Sequence, residues 1–243
     1  MRLKHWYILV FLLMLVCAGI LFLSRHKPFP GAWLTGRQET ARTSAPQPVP
    51  SQPDASGWEE LFNGVNLNGW EVTNFGPQGP VYVSNGAVVL GMGDGCTGIT
   101  WTGEVLFQNY EIELDAMRIS GHDFFCALTF PVGEGFCTFI VGGWAGTVVG
   151  ISNIDGRDAS ENSTTRNMVF EQQRWYHIGV RVTADSLVAW IDGERVVSVA
   201  RQGHAFAVRP EVRLSRPLGI CSWYTTAGLK NIRARSLVPG RRF

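Results

Sequence analysis

Tyr110-Glu111-Ile112-Glu113-Leu114-Asp115-Ala116 alternates apolar and acidic residues without a break. A period of two places Tyr110, Ile112, Leu114 and Ala116 on one face of a strand and the three carboxylates on the other, so the segment reads as a half-buried strand. The same pattern returns in Trp175 to Thr183, where Tyr176, Ile178, Val180 and Val182 oppose His177, Arg181 and Thr183. Ser186 to Ile191 follows, and Asp192-Gly193 turns the chain into Val196 to Val199, a hairpin signal. Phe124 to Phe130 and Phe136 to Val141 form neighbouring strands across the Pro131 to Gly135 connection. Val81 to Leu90 is broken by an Asn85-Gly86 turn. Glu211 to Leu214 and Leu229 to Ala234 read as terminal strands, and Ser160 to Phe170 as the one place for a short helix. Many short strands in one continuous stretch imply two packed antiparallel sheets. No repeat of fixed period is present.

The surroundings of this β domain differ sharply in composition. Residues 1–5 are short and basic, and residues 6–24 form an apolar run flanked by Arg2, Lys4, Arg25 and Lys27. Its charge-free core, Tyr7 to Leu23, has the length of a short membrane-spanning helix, with Trp6 and Tyr7 at the interfacial position. The run continues to Leu23 without a small-residue cleavage site, which favours a retained anchor over a cleaved signal. Cys17 lies inside the run and not at its end, so it reads as a thiol within the helix and not a lipidation site. Residues 25–57 form a linker in which Pro46, Pro48, Pro50 and Pro53 favour extended backbone. The folded domain is expected over 58–237, with a basic tail at 238–243. Charge on both flanks of the anchor leaves orientation balanced. A Trp- and Gly-rich β domain with several cysteines fits export, so the expected location is a single-pass membrane protein with its C-terminal domain extracytoplasmic.

The formal net charge of the 243-residue chain is +1, and without the four basic residues flanking the anchor the remainder is net acidic. That excludes the cationic footprint of a nucleic-acid binder. Outside the anchor stand Cys96, Cys126, Cys137 and Cys221. Four thiols permit one or two disulfides with three complete pairings, Cys126 and Cys137 being candidates because their strands are adjacent, and they equally read as unpaired buried thiols. His122, His177 and His204 are scattered and give no zinc spacing.

In order along the chain, LFNGVNLNGW, RWYHIGVRV, AWIDGERV and LKNIRAR resemble the landmarks of the 3-keto-disaccharide hydrolase family. Phe62, Gly64, Leu67, Gly69 and Trp70 match its opening spacing. The resemblance covers residues 58–237 and implies an all-β, concanavalin A-like two-sheet jelly-roll sandwich, here preceded by one transmembrane helix. It also implies hydrolysis of keto-glycosides. Where the family carries polar residues on a central strand this sequence has Cys137 and Phe139, and Ile220 to Tyr224 lacks the family's late histidine.

Candidate chemistry therefore rests on few residues. His122 and Asp123 at a strand entrance, with Glu134 in the following connection, are the acid, base and charge-stabilising candidates for cleaving a keto-glycoside. Trp144, set among Gly142, Gly143 and Gly146, and Trp223 with Tyr224 offer flat rings for stacking a sugar; Trp70, Trp175 and Trp190 read as packing residues. Asp155, Asp158 and Glu161 offer the hard oxygen ligands that calcium takes, but without EF-hand spacing the segment reads first as a polar surface loop. Asn162-Ser163-Thr164 is an N-glycosylation pattern. Two functions follow, a membrane-anchored hydrolase acting on keto-glycosides, or a noncatalytic module that binds glycans or another envelope protein.

Overall fold

The computed structural model describes residues 56–243. The anchor at 6–24 and nearly all of the linker lie outside the described residues. Among the described residues no helix is long and apolar enough to cross a membrane.

Fifteen strands follow one another: β1 (Glu59–Glu60), β2 (Trp70–Val72), β3 (Val81–Ser84), β4 (Ala87–Leu90), β5 (Cys96–Trp101), β6 (Tyr110–Gly121), β7 (Cys126–Val132) and β8 (Gly135–Gly143). Then come β9 (Val148–Ser152), β10 (Arg166–Asn167), β11 (Trp175–Val182), β12 (Ser186–Ile191), β13 (Glu194–Ala200), β14 (Gly219–Trp223) and β15 (Thr225–Ser236). They build two antiparallel sheets. One has eight strands in the order β13-β12-β11-β6-β15-β4-β3, with β1 beside β15. The other has seven, β10-β9-β8-β7-β14-β5-β2. The all-β sandwich expected from the alternation is the observed one.

The opening stretch sits at the centre. Tyr110, Ile112, Leu114 and Ala116 of β6 are fully buried with Leu128, Phe130 and Phe139 of the opposite sheet, and Phe125 just before β7, within one apolar core. Each large side chain so buried contributes roughly 1.5–3 kcal/mol relative to an exposed one. The Tyr110 hydroxyl, whose pKa burial pushes up, donates to the Pro131 carbonyl at 2.5 Å, so the polar tip is satisfied inside the core. Both expected hairpin turns form with left-handed backbone, Asn85-Gly86 at φ 50° and 76° and Asp192-Gly193 at φ 49° and 80°, as a two-residue turn between twisted strands requires.

Four expectations are corrected. Glu211 to Leu214 is not a strand but part of a 3-10 helix, Pro210–Ser215. Pro210 supplies no ladder donor, and Val212 and Ser215, three apart, are the residues it buries. Ser160 to Phe170 is a run of turns ending in β10, with no helix. There the Asn162 amide donates to the carbonyls of Ile151 (2.7 Å) and Asp158 (2.8 Å), and its oxygen accepts from the Thr164 N–H at 2.9 Å. Those local bonds displace helical ones and occupy the nitrogen of the glycosylation pattern.

The expected Cys126–Cys137 pair does not meet either. Cys126 opposes Val141 and Cys137 opposes Phe130, an offset of roughly 13 Å along the hairpin at the usual rise per residue. All four cysteines are buried free thiols, and the two that approach are Cys96 on β5 and Cys221 on β14, with sulfurs 3.9 Å apart. Finally, Cys137 and Phe139 point into the core. The outward residues of β8 are Thr138 and Ile140, so Cys137 and Phe139 are core packing residues.

Candidate functional site

The outward row of β7 and β8 begins with the Thr129–Thr138 hydroxyl pair, 2.9 Å apart, and continues through Ala127 and Ile140. Over this row fold the segments 152–164 and 203–215, creating a second apolar cluster that includes Phe124, Ile140, Val212 and Cys221. Between sheet and segments opens a cleft of about 220 Å³. Asp123, Phe124, Ile140, Trp144, Ser152, Arg209, Glu211, Val212 and Trp223 line it. Its lining combines apolar residues with the charged Asp123, Arg209 and Glu211.

Each charged group is already held. Asp123, in the β6–β7 connection, accepts the N–H of Phe124 at 2.7 Å on one oxygen and that of Ala145 at 3.2 Å on the other. Its own N–H donates to the Thr225 hydroxyl at 3.1 Å. The guanidinium of Arg209 donates to Asp158 at 2.6 Å and grips Glu211 through Nη2 at 3.0 Å and Nε at 3.3 Å. The Glu211 contact raises the Arg209 pKa, and the same bond holds Glu211 below its ordinary value. Both groups stay charged, as a forked Arg–carboxylate pair should.

The aromatic wall comes from two turns. Trp144 sits at φ 47° in the β8–β9 turn and remains 38% exposed, with the Arg209 guanidinium 5.8 Å from its ring centre. Trp223, the last residue of β14, packs on Phe124 at 6.3 Å and is braced edge-on by Tyr224 at 5.2 Å. Tyr224 does not line the cleft. Its hydroxyl donates to Asp94 at 2.5 Å, a bond that raises its pKa.

Of the six residues singled out for catalysis and sugar contact, Asp123, Trp144 and Trp223 are thus brought together. His122 is exposed and absent from the lining, and Glu134 is exposed in the turn at the far end of β7. Seven strand residues separate that turn from the Asp123 end, roughly 20 Å of extended chain, so the expected trio does not converge. The calcium reading is corrected as well. Asp155 accepts from the Ala205 N–H and pairs with His204 at 2.6 Å, Asp158 is committed to Arg209 and Ser160, and Glu161 is exposed on the next turn. Among the described residues no three His, Cys, Asp or Glu side chains gather as a metal would need. Sequence reasoning missed Arg209 and Glu211 as site residues, because the 3-10 helix that reads as a strand carries Glu211, with Arg209 just before it, to the cleft.

A family model described as a 3-keto-alpha-glucoside-1,2-lyase-like domain matches residues 57–235. The chain belongs to that family. No curated protein matches the chain. Among solved structures, this member of the 3-keto-alpha-glucoside-1,2-lyase-like domain family is similar to Crh5 transglycosylase in complex with NAG. The TM-score is 0.53 at 16% identity, over 79% of this chain and 89% of that one. It is also similar to the β-glucanase of Bacillus licheniformis, with a TM-score of 0.50 at 11% identity, over 74% of this chain and 96% of that one. At such identities the likeness shows the jelly-roll sandwich alone.

Proposed function

We propose that the domain binds a neutral saccharide in the Trp144–Trp223 cleft and does not cleave it. The observation that carries this reading is the state of the charged groups. Both oxygens of Asp123 accept backbone donors, and Arg209 joins Asp158 and Glu211 in a closed cluster. General base catalysis needs a carboxylate within reach of a sugar proton; Glu211 is tied to Arg209, and Asp123 has lone pairs left only beyond the two backbone donors that already fix it. Two indoles beside apolar residues are what a sugar ring stacks against. Arg209 is the one cation in the lining and is already neutralised, so a uronate would meet an excess of carboxylates. That supports neutral sugars, and the family description points to α-glucosides.

Asp123 supports a second reading, that of a lyase. A 3-keto-α-glucoside has an acidified C2–H beside its ketone. Loss of that proton to a carboxylate, with cleavage of the C1–O bond and return of a proton to the departing oxygen, completes a 1,2-elimination. Asp123 is the carboxylate in the lining with no cation attached. The family likewise supports the hydrolytic outcome expected from the sequence resemblance, in which water adds at C1.

Calorimetry against α-glucosides, their 3-keto forms and matched uronates, run beside an assay for released aglycone, separates these readings. Saturable binding of neutral sugars without release is expected. Release that disappears in Asp123→Asn overturns the binding-only reading in favour of the lyase. The N-terminal apolar segment supports a membrane-anchored, extracytoplasmic placement. Protease treatment of intact cells should then remove the domain while the anchor stays in the membrane fraction, and a protected domain would contradict this.

A further inference from the structure

Arg118 is buried, with only 5% of its surface exposed, and it is the one buried basic side chain among the described residues. It continues the inward row Tyr110, Ile112, Leu114, Ala116 on β6, where the pattern calls for another apolar residue. Glu111, buried on the same strand, is paired with Arg181 and Arg235. Arg118 has no carboxylate within ion-pair distance among the described residues. Its guanidinium lies over Phe125 at 5.1 Å and near Phe170 at 6.0 Å, and its buried Nε has no hydrogen-bond partner. Replacing a buried charge with a well-packed apolar side chain of similar volume is often neutral or stabilising, and an orphaned buried donor calls for an explanation.

What the guanidinium does hold is the loop bearing Trp144. Nη2 donates to the carbonyl of Gly142 at 3.3 Å and to that of Gly146 at 3.1 Å, the two ends of the turn. Within that turn four residues have positive φ: Gly142 at 78°, Trp144 at 47°, Ala145 at 63° and Gly146 at 106°. Trp144 and Ala145 pay a steric penalty there that only surrounding contacts can offset. The closing backbone bonds are few, Gly146 and Thr147 both donating to the Gly143 carbonyl at 3.1 and 3.0 Å. From the cleft side, Asp123 takes the Ala145 N–H. The glycines at the ends leave room for the guanidinium, since a Cβ on Gly142 would lie 2.5 Å from Nη2.

We infer that Arg118 is a positioning residue of the cleft, fixing from inside the sandwich the loop that presents Trp144 to a ligand. The inference rests on the reading of the cleft as a sugar site, yet the position of Trp144 can be measured without sugar. The test uses Arg118→Met, Arg118→Lys and Gly146→Ala, each with and without Trp144→Phe. The difference between the paired proteins isolates the Trp144 emission and its quenching by acrylamide. Arg118→Met should keep the thermal midpoint of the parent, change the Trp144 difference signal, and weaken binding of the neutral sugar about tenfold, the loss of one well-placed stacking contact. Arg118→Lys, which retains a donor, should recover part of both. Gly146→Ala, whose Cβ would lie 2.8 Å from the His122 carbonyl and 3.4 Å from Arg118 Nη2, should shift the Trp144 signal with the arginine intact. An unchanged Trp144 signal and unchanged affinity in Arg118→Met overturn the inference, as does a lowered midpoint with the cleft unaffected. If no sugar binds the parent, the cleft reading falls, while the Trp144 signal still decides whether Arg118 sets the loop.

Discussion

On the outer face of the eight-stranded sheet, charges and tryptophans consume one another. Glu111 is paired with Arg181 and Arg235, Glu113 with Arg233 at 2.9 Å, and Asp115 with His177 at 2.9 Å and Asn231 at 2.7 Å. Trp58 lies under Arg233 and Arg235, Trp175 under Lys230 and Trp190 beside Arg181. The outer face of the seven-stranded sheet has the same ingredients in another arrangement. Arg209 is shared by Asp158, Glu211 and the Trp144 ring, and space remains between Trp144 and Trp223. A tryptophan count cannot distinguish the two faces. What separates them is whether the sheet's own cations lie over the rings or loops stand off and leave a gap.

The comparison can be broken most forcefully on the closed face. Glu111→Gln removes a carboxylate only 1% exposed between two guanidinium groups. Hydrogen bonds to charged groups contribute about 1.5–3 kcal/mol each, so a loss of about 2–3 kcal/mol is expected in urea unfolding, with sugar affinity unchanged. Trp144→Ala is the converse experiment. It should weaken neutral-sugar binding about tenfold while the unfolding midpoint holds, because the ring is already partly in solvent.

Smaller effects sharpen the picture on the cleft side. Glu211→Gln should change stability by less than about 1 kcal/mol, as for other exposed ion pairs. Because it releases Arg209 from half of its neutralisation, it should raise binding of a uronate relative to its neutral counterpart, which paired titrations would reveal. The pH response is the slightest. Glu211 has a folded pKa below its ordinary value, so its contribution is complete above the unfolded value and is lost as pH falls through the folded one. A stability difference between the parent and Glu211→Gln should therefore be flat near neutrality and shrink as the pH falls below the ordinary glutamate range.

These two faces were unequally readable beforehand. The closed face lies in the alternation of Tyr110 to Ala116 and Trp175 to Val182, where one strand carries both the inward row and the outward charges, so the pattern is local. Trp144 stood out because glycines on either side free the backbone for a turn, and Asp123 because it opens a strand. Arg209 and Glu211 had no such signal. They join Asp123 in lining one cleft only after the strands of that sheet have paired and a proline-led helical turn has packed against β5 and β14. Register was the other gap. A slip of one residue on β8 exchanges Cys137 and Phe139 for Thr138 and Ile140, and short motif matches do not fix that slip. Arg118 was hidden for the opposite reason. It breaks the apolar row of its strand just where the regular part of the pattern ends.

The pairing of β1 with β15 has a practical consequence. Glu59 lies opposite Ala234, and the Phe243 N–H donates to the Glu59 carboxylate at 2.9 Å, so the first strand and the last residue share one pole of the sandwich. Strand β6 runs from that pole, where Tyr110 opposes Ser236, to the cleft end, where Gly121 opposes Thr225. Twelve residues of extended chain span roughly 40 Å. The domain can therefore be grafted onto a bead, a sensor chip or a fusion partner through either terminus with the loop bearing Trp144 held away from the attachment.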